Sequence, residues 1–163
     1  MTADDLDAEV RALIGQAQYV SPPGMPANAV NVRAMCAAVE NGNPAYWDGD
    51  ACPATLLPAW GRPELWEPGE EASPIALQAH FDLKERLGYP ASIVVSYTTS
   101  FYRRVRIGDR LGTRQVVRQI GSVKTTRLGT GRFWTVEMQY LDEVGRMTGI
   151  ERYEFFGYAK AGT

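Results

Sequence analysis

Four segments from Ala91 onward are rich in β-branched and aromatic residues, and this constrains the fold more than any other feature. They read ASIVVSYTTSFYRRV, RLGTRQVVRQIGSVKTT, RFWTVEMQYLDE and RMTGIERYEFFGYAK. In the third segment, Phe133, Thr135, Glu137 and Gln139 alternate with Trp134, Val136, Met138 and Tyr140. A period of two is typical of a strand that turns one face toward a core. With RIGDRLG, LGTGR and DEVGR as turns, the sequence predicts four strands in antiparallel succession.

The first half of the chain has a different pattern, which is helical and rich in loops. Apolar residues at helical spacing predict helices over Asp4–Gln18, Val30–Glu40 and Ile75–Leu87. The stretch YVSPPGMPANAV predicts a loop, and Pro53–Pro74 predicts an ordered, packed loop, because its prolines are threaded through large apolar residues. Helices that precede an antiparallel sheet must cover one of its faces, so the predicted class is α+β.

Composition excludes several classes of function. The 163 residues suit one domain, predicted to span residues 1–163, and their net charge of -2 gives no basic excess for binding nucleic acid. No apolar run is long enough to cross a bilayer, and the start is acidic and amphipathic rather than signal-like, which predicts a cytoplasmic protein. Cys36, Cys52 and the single histidine do not make a zinc-binding pattern, so no metal site is expected.

The segment ENGNPAYWDGD, Glu40 to Asp50, resembles the mouth of an active site from which the chemistry is missing. An Asn-Gly-Asn-Pro turn leads into two aromatic and two acidic residues, with no histidine beside them. A turn-rich, solvated loop accounts for Asp48 and Asp50 without any acid–base role. Taken alone, the turn is also a plain helix stop, with Tyr46 and Trp47 as core aromatics.

Four motifs in this order resemble the MaoC-like branch of the hot-dog fold. They are VRAMCAAVENGNPAYWD, ACPATLLPAW, SFYRRVRIGDRL and GTGRFWTVEMQYLDEVGRM, and the resemblance covers about Val30 to Tyr158. It implies a hot-dog fold, in which a long antiparallel sheet wraps around a central helix. Within the family, the chain looks most like the larger MaoC-like component of the two-component enoyl-CoA hydratases that actinobacteria use on steroid side chains.

The resemblance also implies a chemistry that this chain does not carry out by itself. Catalytic members hydrate enoyl thioesters with an Asp and a His in a D-x-N-P-x-H turn. Here Asn43 and Pro44 match that turn, but Asn41 stands in place of the Asp and Tyr46 in place of the His. Asn carries no proton at neutral pH, and Tyr has a reference pKa of about 10. We therefore expect no catalytic residue in this chain.

A homologous MaoC-like subunit with an intact Asp and His is then the expected partner, in a heterodimer or heterotetramer whose two sheets become continuous. The acyl-CoA is the expected substrate, and no separate cofactor is expected. Two alternatives stay open: a self-sufficient hydratase that pairs Tyr46 with His80 or Asp48, and a non-catalytic acyl-CoA-binding module.

Further residues complete the predicted site. The expected substrate contacts are Asn43, Trp47, Leu57, Trp60, Trp66 and His80. Core packing explains the apolar ones equally well, and a surface or packing role is the main expectation for His80. Arginine suits the phosphates of coenzyme A, so the expected phosphate contacts are Arg103, Arg104, Lys124 and Arg127. A charged, solvated strand edge is the alternative for this set.

Overall fold

The structure of the chain is a computed structural model that describes residues 6–62, 68–69 and 76–160. Within these residues, five helices precede or separate the strands: α1 (Ala8–Ala12), α2 (Ala29–Ala38), α3 (Pro44–Trp47), α4 (Leu57–Gly61) and α5 (Gln78–Arg86), with a 3-10 turn at Ala54–Leu56. The strands are β1 (Ala17–Ser21), β2 (Ala91–Phe101), β3 (Leu111–Thr126), β4 (Gly129–Asp142) and β5 (Met147–Ala159). The chain is therefore α+β, as the sequence predicts.

The strands form one antiparallel sheet in the order β1-β3-β4-β5-β2. The prediction of four strands was wrong in one respect, because β1 forms in the stretch expected to be a helix end and a loop. That strand is short and irregular, with a bulge and a positive φ of 48° at Tyr19, so its local sequence gives little strand signal. It forms because it pairs with the edge of β3.

The prediction that neighbouring strands succeed each other along the chain was also wrong for β2. This strand pairs with β5 rather than with β3, and the segment RIGDRLG is a crossing connection instead of a hairpin turn. The connection is held locally: Asp109 accepts a hydrogen bond from the Arg106 backbone, and Ala51 forms an isolated bridge with Arg106. The predicted strand also ends at Phe101, before Arg103 and Arg104.

The helices cover one face of the sheet, here called the helical face, and divide its core into two clusters. The turn-side cluster comprises Ala27, Val32, Cys36, Cys52, Leu57, Trp60, Val105, Leu111, Met138 and Tyr140. The α5-side cluster comprises Val10, Ala79, Leu83, Val117, Ile120, Trp134, Val136 and Phe155. In the part of the chain that the structure describes, no helix is long and apolar enough to cross a membrane.

Close packing on the helical face depends on a glycine opposite a tryptophan. A Cβ atom built on Gly157 would lie 2.1 Å from the Trp134 ring. Because Gly157 has no side chain, the indole of Trp134 has room to lie across β5. Trp134 is buried, and its ring also stacks near Tyr89 and Phe155.

His80 packs against Trp134 and Phe155 of the α5-side cluster, and the residue is only 4% exposed. Its ring stacks on Phe155 at 3.6 Å, and Nδ1 accepts a hydrogen bond from Nε1 of Trp134 at 3.1 Å. The neutral ring therefore carries its proton on Nε2, which lies 3.2 Å from the Ser92 hydroxyl. This confirms the packing role expected for His80. Burial, together with the nearby charge of Lys84, lowers the pKa of His80 to about 4.

The lowered pKa of His80 predicts a pH-dependent stability. Because the unfolded state protonates near pH 6.5 and the folded state near pH 4, the unfolded state binds more protons between these values. The free energy of unfolding should therefore fall as the pH drops through this window, by up to about 3 kcal/mol in total. Urea titrations followed by circular dichroism at several pH values would measure it.

A His80→Gln variant is the matched control, since glutamine can accept from Trp134 and donate to Ser92 without titrating. Its stability should change less than that of the unsubstituted chain between pH 6.5 and pH 4. Parallel stability curves for the two proteins would contradict the assignment to His80.

Candidate functional site

The turn from Glu40 to Asp50 is built by two asparagine side chains that bind backbone. Asn41 Oδ1 accepts from the backbone N–H of Asn43 at 3.1 Å, and Asn43 Oδ1 accepts from that of Ala45 at 3.1 Å. Asn43 thereby caps α3, and Pro44 occupies the first turn of that helix, where its missing N–H costs nothing. The oxygens of both amides serve the turn itself, so the side chain of Asn41 has a structural task.

Trp47 braces this turn against α2. Its indole Nε1 donates to the backbone carbonyl of Asn41 at 2.7 Å, and its own carbonyl accepts from Nη2 of Arg33 at 3.0 Å. The ring is half-buried and packs against the turn-side cluster. Trp47, which the sequence suggested as a substrate contact, thus positions the turn.

A cavity of about 300 Å³ lies beside the turn. It is lined by Asn43, Ala45, Tyr46, Ala51, Cys52, Ala54, Leu57, Phe101, Tyr102, Arg103, Arg104 and Val105. Tyr46 is half-buried at this wall, and its hydroxyl has no hydrogen-bond partner among the described residues. The structure therefore joins the degenerate turn, the start of α4 and the end of β2 around one space of ligand size.

The lining residues can hold a ligand but offer little for proton transfer at neutral pH. Among the residues that the structure describes, this lining includes no histidine and no carboxylate. Burial, with smaller contributions from Asp109 and Asp50, raises the pKa of the Cys52 thiol to about 11, so this cysteine is a protonated packing group. Amide, phenol, aromatic and guanidinium groups remain, which suit binding and orientation.

The other predicted substrate contacts are dispersed. Leu57 lines the cavity, whereas Trp60 is buried in the turn-side cluster, where its Nε1 has no partner among the described residues. Trp66 lies outside the described residues. His80 packs between aromatic rings next to the other cluster and does not line this cavity, so its role as a substrate contact stays a prediction.

The predicted phosphate contacts do not form one group. Arg103 and Arg104 line the cavity, and Arg103 also pairs with Asp142. Lys124 and Arg127 lie at the far β3–β4 hairpin, where Lys124 sits 5.7 Å above the Phe133 ring. The two pairs therefore lie at opposite ends of β4. The hairpin with Lys124 and Arg127 directly precedes Gly129, the first residue of β4, whereas Arg103 pairs with Asp142, its last residue.

The two acidic residues of the turn belong to an exposed, solvated loop, as the sequence suggested. Asp50 accepts two hydrogen bonds from Nη1 of Arg106, at 2.7 and 2.8 Å, on the exposed connection before β3. Asp48 is exposed and ends α3. Neither residue lines the cavity beside the turn.

A buried carboxylate that the sequence analysis missed lies on the helical face of β5. Glu151 accepts hydrogen bonds from Tyr97 at 2.6 Å, Tyr140 at 2.5 Å and Arg62 at 2.9 Å. Tyr153 completes this group, the Glu151 cluster, through a longer contact of 3.4 Å with Arg62. The sequence did contain a signal for the burial of Glu151. In IERYEFF, the strand period of two places Glu151 on the same face as Phe155, which is buried.

The cluster keeps Glu151 ionised in the core. Burial alone would raise its pKa, but the hydrogen bonds from Tyr140, Tyr97 and Arg62 outweigh burial, and the net pKa of Glu151 is lowered. In the same group, burial and the nearby Glu151 charge raise the pKa of Tyr153 to about 12. The cluster is thus a neutral ion pair surrounded by protonated phenols.

Comparison with known proteins agrees with this architecture. No protein-family model matches the chain. A Thermomonospora curvata protein described as a probable enoyl-CoA hydratase alpha subunit is 25% identical over 172 residues, which cover 97% of this chain and 53% of that protein. The chain therefore spans about half the length of the curated relative that it matches.

Solved structures resemble the chain along most of its length. A chain in the crystal structure of the ChsH1-ChsH2 complex from Mycobacterium tuberculosis superposes with a TM-score of 0.72 at 16% identity, covering 96% of this chain and 90% of that one. A MaoC-like dehydratase from Rhodospirillum rubrum gives 0.50 at 12% identity, covering 99% of both chains.

Another MaoC-like dehydratase gives a TM-score of 0.54 at 17% identity, over 92% of this chain and 43% of that one. At these identities the superpositions establish the fold. The chain has the hot-dog fold, and the similarity to MaoC-like hot-dog domains that its motifs indicated is confirmed.

Proposed function

We propose that this chain is a subunit of a heteromeric enoyl-CoA hydratase, or 3-hydroxyacyl-CoA dehydratase, that acts on a bulky acyl-CoA such as a steroid side-chain thioester. A homologous partner supplies the catalytic Asp and His, and this chain supplies structure and substrate contacts. One observation carries the proposal: the hydratase turn is retained beside a ligand-sized cavity, while Asn41 and Tyr46 replace both proton carriers.

Two similarities support the reaction class. The curated relative is described as a probable enoyl-CoA hydratase alpha subunit, a wording that itself implies a second kind of subunit. The neighbour with a TM-score of 0.72 belongs to a complex of two named components, ChsH1 and ChsH2. The steroid side chain comes from the resemblance of the motifs.

The chemistry of enoyl-thioester hydration determines which groups each of the two subunits would supply. Water must lose a proton as it attacks the β carbon, the α carbon must gain one, and donors must hold the thioester oxygen as negative charge develops. The partner's Asp and His would move the protons. The cavity wall of this chain, including Tyr46 and Leu57, would orient the acyl thioester, and Arg103 and Arg104 would face the coenzyme A phosphates. No separate cofactor takes part in this scheme.

The exposed edge of the sheet supports a partner chain. β2 contains no charged residue, and Ile93, Val94, Val95, Tyr97 and Phe101 are exposed large apolar side chains on it. Unpaired edge strands of this length are normally blunted by charges, proline or a covering element, because they otherwise pair with other chains. A homologous sheet that pairs with β2 would make the continuous sheet expected of hot-dog dimers.

The geometry also argues against the alternative of a self-sufficient hydratase. Tyr46 packs against the turn-side cluster, and His80 packs against Trp134 and Phe155 of the α5-side cluster, so the two do not form a dyad. Asp48 is exposed and is absent from the cavity lining. A non-catalytic acyl-CoA-binding module shares the same cavity and differs only in lacking a catalytic partner.

The direct test compares activities. The chain should be purified alone and together with a homologous MaoC-like chain from the same genome that carries the intact Asp and His. Hydration of a bulky enoyl-CoA should need both chains and should be lost when the partner's Asp or His is replaced. Full activity of this chain alone would refute the proposal, and binding without activity in the pair would favour the acyl-CoA-binding module.

Tyr46 offers a second prediction. If this phenol only orients the substrate, Tyr46→Phe in the assembled complex should leave kcat within about threefold, because no proton passes through the hydroxyl. KM for the enoyl-CoA is the parameter expected to rise, since ground-state contacts are lost. A drop in kcat of a hundredfold or more would instead identify Tyr46 as an acid or base.

The edge strand gives a third prediction. Val95 is 49% exposed in the middle of β2, and a lysine there would place a charge in the seam. Val95→Lys should abolish co-elution of the two chains in size-exclusion chromatography and leave the fold of the free chain intact. Val144→Lys is the matched control, because Val144 is 72% exposed on the β4–β5 hairpin. Equal co-elution of both variants with the partner would exclude β2 as the seam.

A further inference from the structure

A second cavity lies on the face of the sheet opposite the helical face, here called the outer face. Its volume is about 230 Å³, and its lining residues are Gln119, Gly121, Ser122, Lys124, Phe133, Trp134, Thr135 and Glu154. Thr135 pairs with Gln119 on one side and with Glu154 on the other, so their side chains form one row across β3, β4 and β5. This row points away from the side chains of Trp134 and Val136, which are buried in the α5-side cluster. The cavity is therefore separate from the one beside the turn.

β3 is irregular where it forms this cavity. Its register against β4 shifts between Val117 and Gln119 and again between Ile120 and Val123, and each shift inserts one extra residue into β3. The second bulge contains two of the lining residues, Gly121 and Ser122. Bulges are common next to active sites, where they redirect side chains. The two bulges thus give a physical reason for a hollow in this face of the sheet.

The polar side chains of the cavity have unused hydrogen-bonding capacity. Those that make no hydrogen bond or ion pair with a described residue belong to Gln119, Ser122, Thr135 and Glu154. Two residues further along β4 the situation is different, because Glu137 accepts from Gln139 at 2.8 Å and from Arg152 at 2.7 Å. Polar groups on this face are thus paired with each other outside the cavity, whereas those inside it remain available to a ligand.

Opposite charges lie at the two ends of the cavity, with an aromatic ring between them. Lys124 pairs with Gly131 at one end. Glu154 pairs with Thr135 at the other end, and Phe133 lies midway between the two paired positions on β4. These positions are about 13 Å apart along the strand. The ammonium of Lys124 lies 5.7 Å from the centre of the half-buried Phe133 ring.

This order of charges restricts the kind of ligand. An anion without a positive group would meet the carboxylate of Glu154, and a cation without a negative group would meet Lys124. An uncharged apolar molecule would remove water from both charged groups without replacing its hydrogen bonds. A molecule with an acidic group at one end and an ammonium at the other satisfies both charges, and a flat body between them packs against Phe133.

We propose that the outer-face cavity is a binding site for a small zwitterionic aromatic molecule. Its acidic group pairs with Lys124, its ammonium pairs with Glu154, and its ring contacts Phe133. The inference goes beyond the proposed hydratase subunit and does not depend on it, because this site and the cavity beside the turn lie on opposite faces of the sheet.

Three benzenes with the same shape and different charges test this inference. The probes are para-aminomethylbenzoate, which carries both charges, para-toluate, which carries only the acid, and para-methylbenzylamine, which carries only the ammonium. Dissociation constants are measured by NMR, from the backbone amide shifts of the full chain as each probe is added. Lys124→Gln and Glu154→Gln each remove one charge from the cavity. Arg127→Gln is the matched control, because Arg127 is exposed on the same hairpin and is not a lining residue.

The unsubstituted chain and Arg127→Gln should bind para-aminomethylbenzoate about fivefold more tightly than either singly charged probe, as one partly exposed ion pair allows. The largest amide shifts should lie around Phe133 and Thr135. Lys124→Gln should lose the preference for the zwitterion over para-methylbenzylamine, because the acidic group then has no cation. Glu154→Gln should lose the preference over para-toluate, because the ammonium then has no anion.

Each other outcome counts against the inference. Absence of saturable binding, equal binding of the three probes, or tightest binding of a singly charged probe would overturn it. Amide shifts centred away from the cavity, or an unchanged preference in either glutamine variant, would do the same. All of these results leave the proposed hydratase subunit untouched, since its test uses the activity of the assembled pair.

Discussion

The antiparallel ladder that joins β3, β4 and β5 is the interaction on which the rest of the structure depends. Its helical face supplies the sheet side of both core clusters, and it fixes Tyr140 and Glu151 on neighbouring strands. The helices are too short to be stable alone, so they hold their form only by packing on this surface. The turn and the cavity beside it lie on the same face for this reason.

The sequence predicted those parts of the fold that a local pattern determines. The period of two foretold β3, β4 and β5, and the helical spacing foretold α2 almost to its ends. Strand order was beyond reach, because pairing of β2 with β5 is a choice between distant edges that no local pattern encodes. β1 escaped for a related reason: a short, bulged strand is stabilised by its neighbour rather than by its own residues.

The candidate site divides in the same way. The turn was predicted correctly because its asparagines and proline act on their own backbone, so chain position determines geometry. The proposed phosphate set was split, since spacing along a strand says nothing about which end of a long sheet a residue reaches. Glu151 was missed because an acid in a strand is ordinarily taken as solvent-facing, and only tertiary contacts with Arg62 and two tyrosines make its burial affordable.

The opposition of Gly157 and Trp134 has a consequence for how relatives of this chain can diverge. The indole occupies the volume that any side chain at position 157 would need. The two positions are therefore expected to covary: a relative with a larger residue at 157 must carry a smaller one at 134, and drift at either position alone is penalised by overpacking or by a cavity. An alignment of relatives should show this reciprocal exchange of side-chain volume at positions 134 and 157, even where overall identity is low.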